Sequence, residues 1–173
     1  MLAEHYKQHT ILGFNGSSRS GSGNSRVGKV LYIGSGNTHT GNTLELSLLP
    51  APLLIKGGLM GNTGSLRITA IFLYSGAGTK TSRIKADTYN YMDITDPDTI
   101  LSSDMQINVN NQTVTQQVGF DSFNSLGFGN SNSPSMSSTI NTAADFNVEI
   151  TGQLQNAASS ITLVKYIVEL LVA

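Results

Sequence analysis

Between residues 66 and 74 the chain reads Leu-Arg-Ile-Thr-Ala-Ile-Phe-Leu-Tyr, and every second residue, Leu66, Ile68, Ala70, Phe72 and Tyr74, is apolar. A period of two places alternate side chains on opposite faces of a strand, whereas a helix needs a period near 3.6. The stretch therefore predicts a strand with one face in a core. Its other face changes from Arg67 and Thr69 to Ile71 and Leu73, which predicts cover on both sides at the far end. A second alternation, Leu44, Leu46 and Leu48 between Thr43, Glu45 and Ser47, predicts a half-buried strand that Pro50 and Pro52 terminate.

Further strands are expected at residues 27–33, 83–86, 105–109, 114–120, 146–150 and 161–172, where β-branched and aromatic residues gather between turn-rich spacers. Charged residues are only 12% of the chain, so the polar surface must come from Ser, Thr, Asn, Gln and Gly, which favour strands and turns over helices. With 173 residues, this predicts one all-β domain over residues 26–173, a jelly-roll-like antiparallel β-sandwich of about eight strands. One short helix is expected at residues 96–101, with Asp96 as its cap and Pro97 in its first position.

The strand at residues 161–172 is apolar on both faces. Val164, Tyr166, Val168, Leu170 and Val172 share one, while Ile161, Leu163, Ile167 and Leu171 share the other with Lys165 and Glu169. A small domain has few layers to cover two such faces, so a homo-oligomer contact is expected at Leu163, Ile167 and Leu171. Residues 1–25 read as a flexible N-terminal arm, because residues 13–25 are almost wholly Gly, Ser and Asn. Its apolar anchors, Ile11, Leu12 and Phe14, are expected to order on a neighbouring subunit or another protein.

A formal net charge of −1 supplies no basic field for nucleic acid or an anionic membrane surface, and no run approaches the length of a membrane span. Neither is expected as a partner. Cysteine is absent, which removes disulfides, thiolate metal sites and a cysteine nucleophile together. The stretch Gly23-Asn-Ser-Arg-Val-Gly-Lys-Val30 nearly matches a phosphate-binding loop, but Val30 stands where a hydroxyl should hold the metal and a strand follows instead of a helix. His5 and His9 share a helical spacing, yet Tyr6 occupies the place of the general-base glutamate, and His39 is the only other imidazole. No catalytic residue, cofactor or metal is expected.

Asp87, Asp93, Asp96, Asp98 and Asp104 are the densest carboxylates; a reading in which Asp93 and Asp96 serve turns and caps is preferred over a Ca²⁺ site or paired acids acting on a glycan. Tyr89 and Tyr91 nearby, with Phe123 and Phe128 in the segment 120–134, are expected as partner-contacting loop residues. Two glycosylation-type triplets, at Asn15 and Asn111, carry little weight without a secretion signal.

Thr43-Leu-Glu-Leu46, Gly58-Leu-Met-Gly-Asn-Thr-Gly-Ser-Leu-Arg-Ile68, Thr79-Lys-Thr81 and Arg83-Ile84 resemble a β-sandwich domain of tailed-bacteriophage structural proteins, including tail fibres and tail spikes. Thr139-Ile-Asn-Thr142, Ile150-Thr-Gly-Gln-Leu154, Ile161-Thr-Leu163 and Tyr166-Ile-Val-Glu-Leu170 resemble its closing strands, so the likeness spans about residues 40–171. The resemblance implies a jelly-roll-like, often trimeric domain with no catalytic residues. No shaft or heptad segment precedes it here. A non-enzymatic capsid decoration protein, bound to the major capsid protein as a homotrimer in the virion, is therefore expected ahead of a tail adhesin on a host glycan or a glycan-degrading enzyme.

Overall fold

The computed structural model describes residues 28–121 and 136–171. Its strands are β1 (Gly28–Gly34), β2 (Thr38–His39), β3 (Leu46–Ser47), β4 (Leu53–Ile55), β5 (Ser65–Ser75), β6 (Lys80–Ala86), β7 (Tyr89–Asp96), β8 (Ser102–Thr113), β9 (Gln116–Asp121), β10 (Met136–Ser138), β11 (Phe146–Leu154) and β12 (Ser160–Leu171). The larger sheet has the order β1-β12-β5-β8-β9-β10, with β2 also on β12. The smaller has the order β3-β11-β6-β7, with β4 also on β11. Among the described residues there is no helix.

The pairing is nested. β1 pairs with β12, β3 with β11, β5 with β8 and β6 with β7, all antiparallel. Each pair is the next step inward along the chain, as though one long hairpin had been rolled over, and that wrapping is the jelly-roll arrangement. The β9–β10 hairpin extends the larger sheet beyond β8. The expected jelly-roll-like β-sandwich is therefore what forms.

Alternation sets the core. Leu66, Ile68, Ala70, Phe72 and Tyr74 of β5 face inward beside Met105, Ile107 and Val109 of β8, against Phe146, Val148, Ile150 and Leu154 of β11. Each large side chain so buried contributes about 1.5–3 kcal/mol. Gly152 completes the inward row of β11; a Cβ there would stand 3.1 Å from both Ile161 and Leu48 side-chain carbons, so any larger residue would have to push those two side chains back. The β6–β7 turn holds Asp87 at φ 48, a left-handed conformation that Asp tolerates better than most residues, and Asp87 Oδ1 accepts the Asn147 amide at 2.9 Å.

Strand β12 departs from strict alternation. Its register on β5 shifts between Leu163 and Lys165, so that Leu163 stands opposite Phe72 and Lys165 opposite Ile71, with Val164 left over as a β-bulge. The bulge reverses the parity of the strand. Ile161 and Leu163 before it and Tyr166, Val168 and Leu170 after it all face the core. Two half-strands of opposite phase had read as two apolar faces.

Three further expectations are corrected. Asp96 ends β7, opposite Lys80 of β6, and residues 97–101 make a single turn closed by Ile100 N to Pro97 O at 3.1 Å; five residues suffice to cross to β8 in the other sheet, leaving no length for a helix. Of the 43–49 alternation only Leu46–Ser47 is a strand, and Leu44 is exposed while Leu48 is fully buried. Leu73 is half exposed, so β5 is not covered on both sides at its far end.

Candidate interaction surface

The outer face of the smaller sheet is polar and internally paired. Arg83 is its centre: Nη1 reaches Glu45 Oε2 at 3.0 Å and Gln153 Oε1 at 3.1 Å, and Nε reaches Asp93 Oδ2 at 2.8 Å. Lys85 pairs with the other Glu45 oxygen, to which Thr151 Oγ1 also donates, at 2.6 Å. Burial pushes the Glu45 carboxyl up, but the hydrogen bonds from Lys85 and Thr151 and the charges of Arg83 and Lys85 together hold it below its ordinary value. Such a face presents satisfied groups to solvent.

The outer face of the larger sheet is different. Val30 of β1 stands beside Glu169 of β12, which stands beside Arg67 of β5; the next row runs Ile33, Ile167, Thr69, and the next begins with Lys165 beside Ile71. Val30, Ile33 and Leu73 are 50%, 54% and 50% exposed, and Val164 is 41% exposed. Ile71, Ile167 and Leu171 are half-buried. Apolar side chains thus form a continuous band across β1, β12 and β5, crossed by the Arg67–Glu169 pair at 3.7 Å. The smaller sheet exposes Leu46 and Leu54 singly, whereas a contiguous apolar band is the mark of a surface that is covered by a partner.

Polar groups inside the sandwich are structural. Tyr91 Oη is hydrogen-bonded to Ser138 Oγ, which donates to Gln117 Oε1 at 2.8 Å, and Gln117 Nε2 donates to the Ile140 carbonyl at 2.9 Å. Burial pushes the Tyr91 phenol up to about 12. Asn111 Nδ2 donates to Gly61 O and Thr142 Oγ1 at 2.6 and 2.8 Å. Lys80 and Asp96 face each other at the end of the β6–β7 ladder, both buried, with Lys80 Nζ on the Gly76 carbonyl. Burial holds the Asp96 carboxyl above its ordinary value, against the hydrogen bond from Tyr74 and the charge of Lys80. The cavity between the sheets, beside Met60, Ile68, Tyr91 and Phe146, measures about 10 Å³, room for at most one water.

These placements revise the expected site residues. Leu163 is fully buried in the chain's own core, whereas Ile167 and Leu171 lie on the outer face; the bulge at Val164 separates them. Tyr91 is not a loop residue but a buried residue of β7, with Tyr89 packed edge-on against it at 4.9 Å between ring centres. Phe123, Phe128, Ile11, Leu12 and Phe14, like His5 and His9, fall outside the described residues. His39 is buried, its Nε2 on the Leu44 carbonyl at 2.9 Å. Among the described residues no group of three His, Cys, Asp or Glu stands close enough to hold a metal. Asn111 is buried, so its glycosylation-type triplet is closed to modification in the folded chain. Sequence reasoning missed Val30, Ile33 and Val164 as surface residues; only the register of β12 with its neighbours reveals them.

No protein-family model matches the chain, and no curated protein matches it. Among solved structures, the chain is similar to one from the infectious bursal disease virus Gx strain at 10% identity and TM-score 0.34, over 84% of this chain and 32% of that one. A chain from the Gt strain of the same virus shows 13% identity and TM-score 0.29, over 86% of this chain and 42% of that one. The protein thus spans about a third of the first chain's length.

Proposed function

We propose that the protein is a structural component of a bacteriophage virion, a decoration protein that binds the head and stabilises it without catalysing a reaction. The observation that carries this reading is the apolar outer face of the larger sheet, because a jelly roll that spends apolar surface on its outside works by being covered. Fold class alone does not fix function; jelly rolls serve capsids, lectins and cupin enzymes alike. The chemistry of the surface favours assembly. Gly28 opens β1, an edge strand of that same sheet, so residues 1–27 join the sandwich at the rim of the apolar face. The anchors Ile11, Leu12 and Phe14 then reach across to the capsid floor or a neighbouring subunit, offsetting their ordering entropy on contact.

The adhesin alternative loses one support, since Tyr91 is interior and its hydroxyl is committed to Ser138. Purified protein added to heads lacking their own copy tests the reading: co-sedimentation and greater resistance of the heads to heat are the expected results. Deleting residues 1–25 should weaken head binding and leave thermal unfolding of the sandwich nearly unchanged. Binding to host cells or their polysaccharide, with none to heads, would sink the proposal.

A further inference from the structure

The outer face of the larger sheet is self-complementary, and we infer that it binds the same face of a second copy of this chain about a two-fold axis. The axis runs across the strands, over the row formed by Ile33, Ile167 and Thr69, which the register of β1, β12 and β5 places side by side. Rotation about that axis brings each row over the row equally far on the other side. Ile33 and Ile167 then meet their own counterparts. Glu169, two residues to one side on β12, meets Lys165 of the second copy, two residues to the other side, and by symmetry Lys165 meets Glu169 of the second copy. Arg67, beside Glu169, lies diagonally above Asp104 of the second copy, because Asp104 stands next to Ile71 in the Lys165 row. At the far end Leu73 approaches Leu171 of the second copy.

Opposite charges meet and apolar residues meet under one operation, which is what an isologous contact requires. Sheets packed face to face lie about 10 Å apart, a gap that Lys and Glu side chains span from both sides. The bulge at Val164 makes this possible. It carries Lys165, Ile167 and Glu169 to the outside while Tyr166, Val168 and Leu170 stay in the core. The inference rests on the reading of this face as one that is covered, gives it to a second copy so that head contact falls to the arm, and puts a two-fold dimer in place of the expected homotrimer; it stands whether or not heads are the target.

Light scattering and analytical ultracentrifugation of the full chain test it. A dimer is expected at micromolar concentration, and Ile167→Asp or Ile33→Asp, on exposed or half-exposed positions, should yield folded monomers with unchanged circular dichroism. Lys165→Glu should weaken the dimer at least about tenfold by setting like charges against each other twice. The double exchange Lys165→Glu with Glu169→Lys should restore it. A monomeric wild type, including one in which residues 1–27 cover the face within the same chain, overturns the inference, as does a trimer. So does a dimer indifferent to Lys165→Glu, or one that the double exchange fails to rescue. Loss of head binding with the dimer intact would instead count against the decoration reading alone.

Discussion

The hydroxyl of Tyr91, on the outermost strand of the smaller sheet, is hydrogen-bonded to that of Ser138, on the outermost strand of the larger one. β7 and β10 are the edges at which the two sheets lie open. The bond therefore fastens the side of the sandwich away from β1, 47 residues apart in sequence, and Gln117 anchors it from behind.

Tyr91→Phe should cost about 1–2 kcal/mol, because Ser138 keeps its bond to Gln117 but loses the phenol. Tyr91→Ala should cost about 3–5 kcal/mol, since it also empties the volume of a buried ring. Urea unfolding of the two variants measures both. No loss in Tyr91→Phe would show that the hydroxyl carries nothing beyond the ring, and equal losses that the ring carries nothing beyond the hydroxyl.

Leu163 and Ile33 are both aliphatic residues of the larger sheet, one fully buried and one 54% exposed. Leu163→Ala should destabilise the chain by about 2–5 kcal/mol. Ile33→Ala should change stability by less than about 1 kcal/mol under conditions where the chain is monomeric. Thermal melts at low concentration distinguish the two.

Two carboxyls give opposite pH dependences. Asp96 holds its proton in the folded chain up to a higher pH than in the unfolded one, so stability falls as pH rises through the window between its ordinary and its raised value, and the penalty is absent below that window. Glu45 is depressed; its contribution is present above its ordinary value and is lost as pH falls through the depressed one. Asp96→Asn should flatten the first dependence. Glu45→Gln should flatten the second and cost about 1 kcal/mol or less near neutrality, because the ion pairs lie at the surface and stay partly open to solvent. Denaturant midpoints across the acid range read both.

Deleting Val164 removes the unpartnered residue and leaves Leu163, Lys165 and Tyr166 in plain alternation opposite Phe72, Ile71 and Ala70. The shortened chain should still fold cooperatively. Deleting Val168 turns Glu169 inward and Leu170 outward, which buries an unpaired charge and should abolish folding. Circular dichroism and soluble yield of the two deletions decide the matter.

Where a strand keeps one phase from end to end, its sequence reads directly. Leu66 to Tyr74 is the example: Leu66, Ile68, Ala70, Phe72 and Tyr74, the alternating face expected inside, are all buried, and only the cover expected over Leu73 is missing. β12 misled because one extra residue inverts the phase halfway along, a fact held in its pairing with β5 and invisible in its own letters. β7 escaped notice for a related reason: a register shift in the β6–β7 ladder lies between Ile84 and Lys85, and Tyr91 and Met92 are both buried in succession. Leu44 alternates with its neighbours yet points outward, since the segment is held from the side by Glu45 and by the bond between His39 and the Leu44 carbonyl. The apolar face of the larger sheet was visible as letters, in Ile71, Leu73 and Ile167, but its membership depended on registers that only the assembled sheet defines.

The nested pairing also dictates when the protein can fold during its synthesis. β12 lies between β1 and β5 in the larger sheet, so until residues 160–171 leave the ribosome β1 has no partner strand and β5 has only β8. Until then the inward row of β5 has no partner strand on that side and stays open to chance encounters with other nascent chains. Contacts between segments so distant close slowly, in milliseconds to seconds, and a chain made in many copies at once would spend that interval competing between its own last strand and its neighbours' first ones.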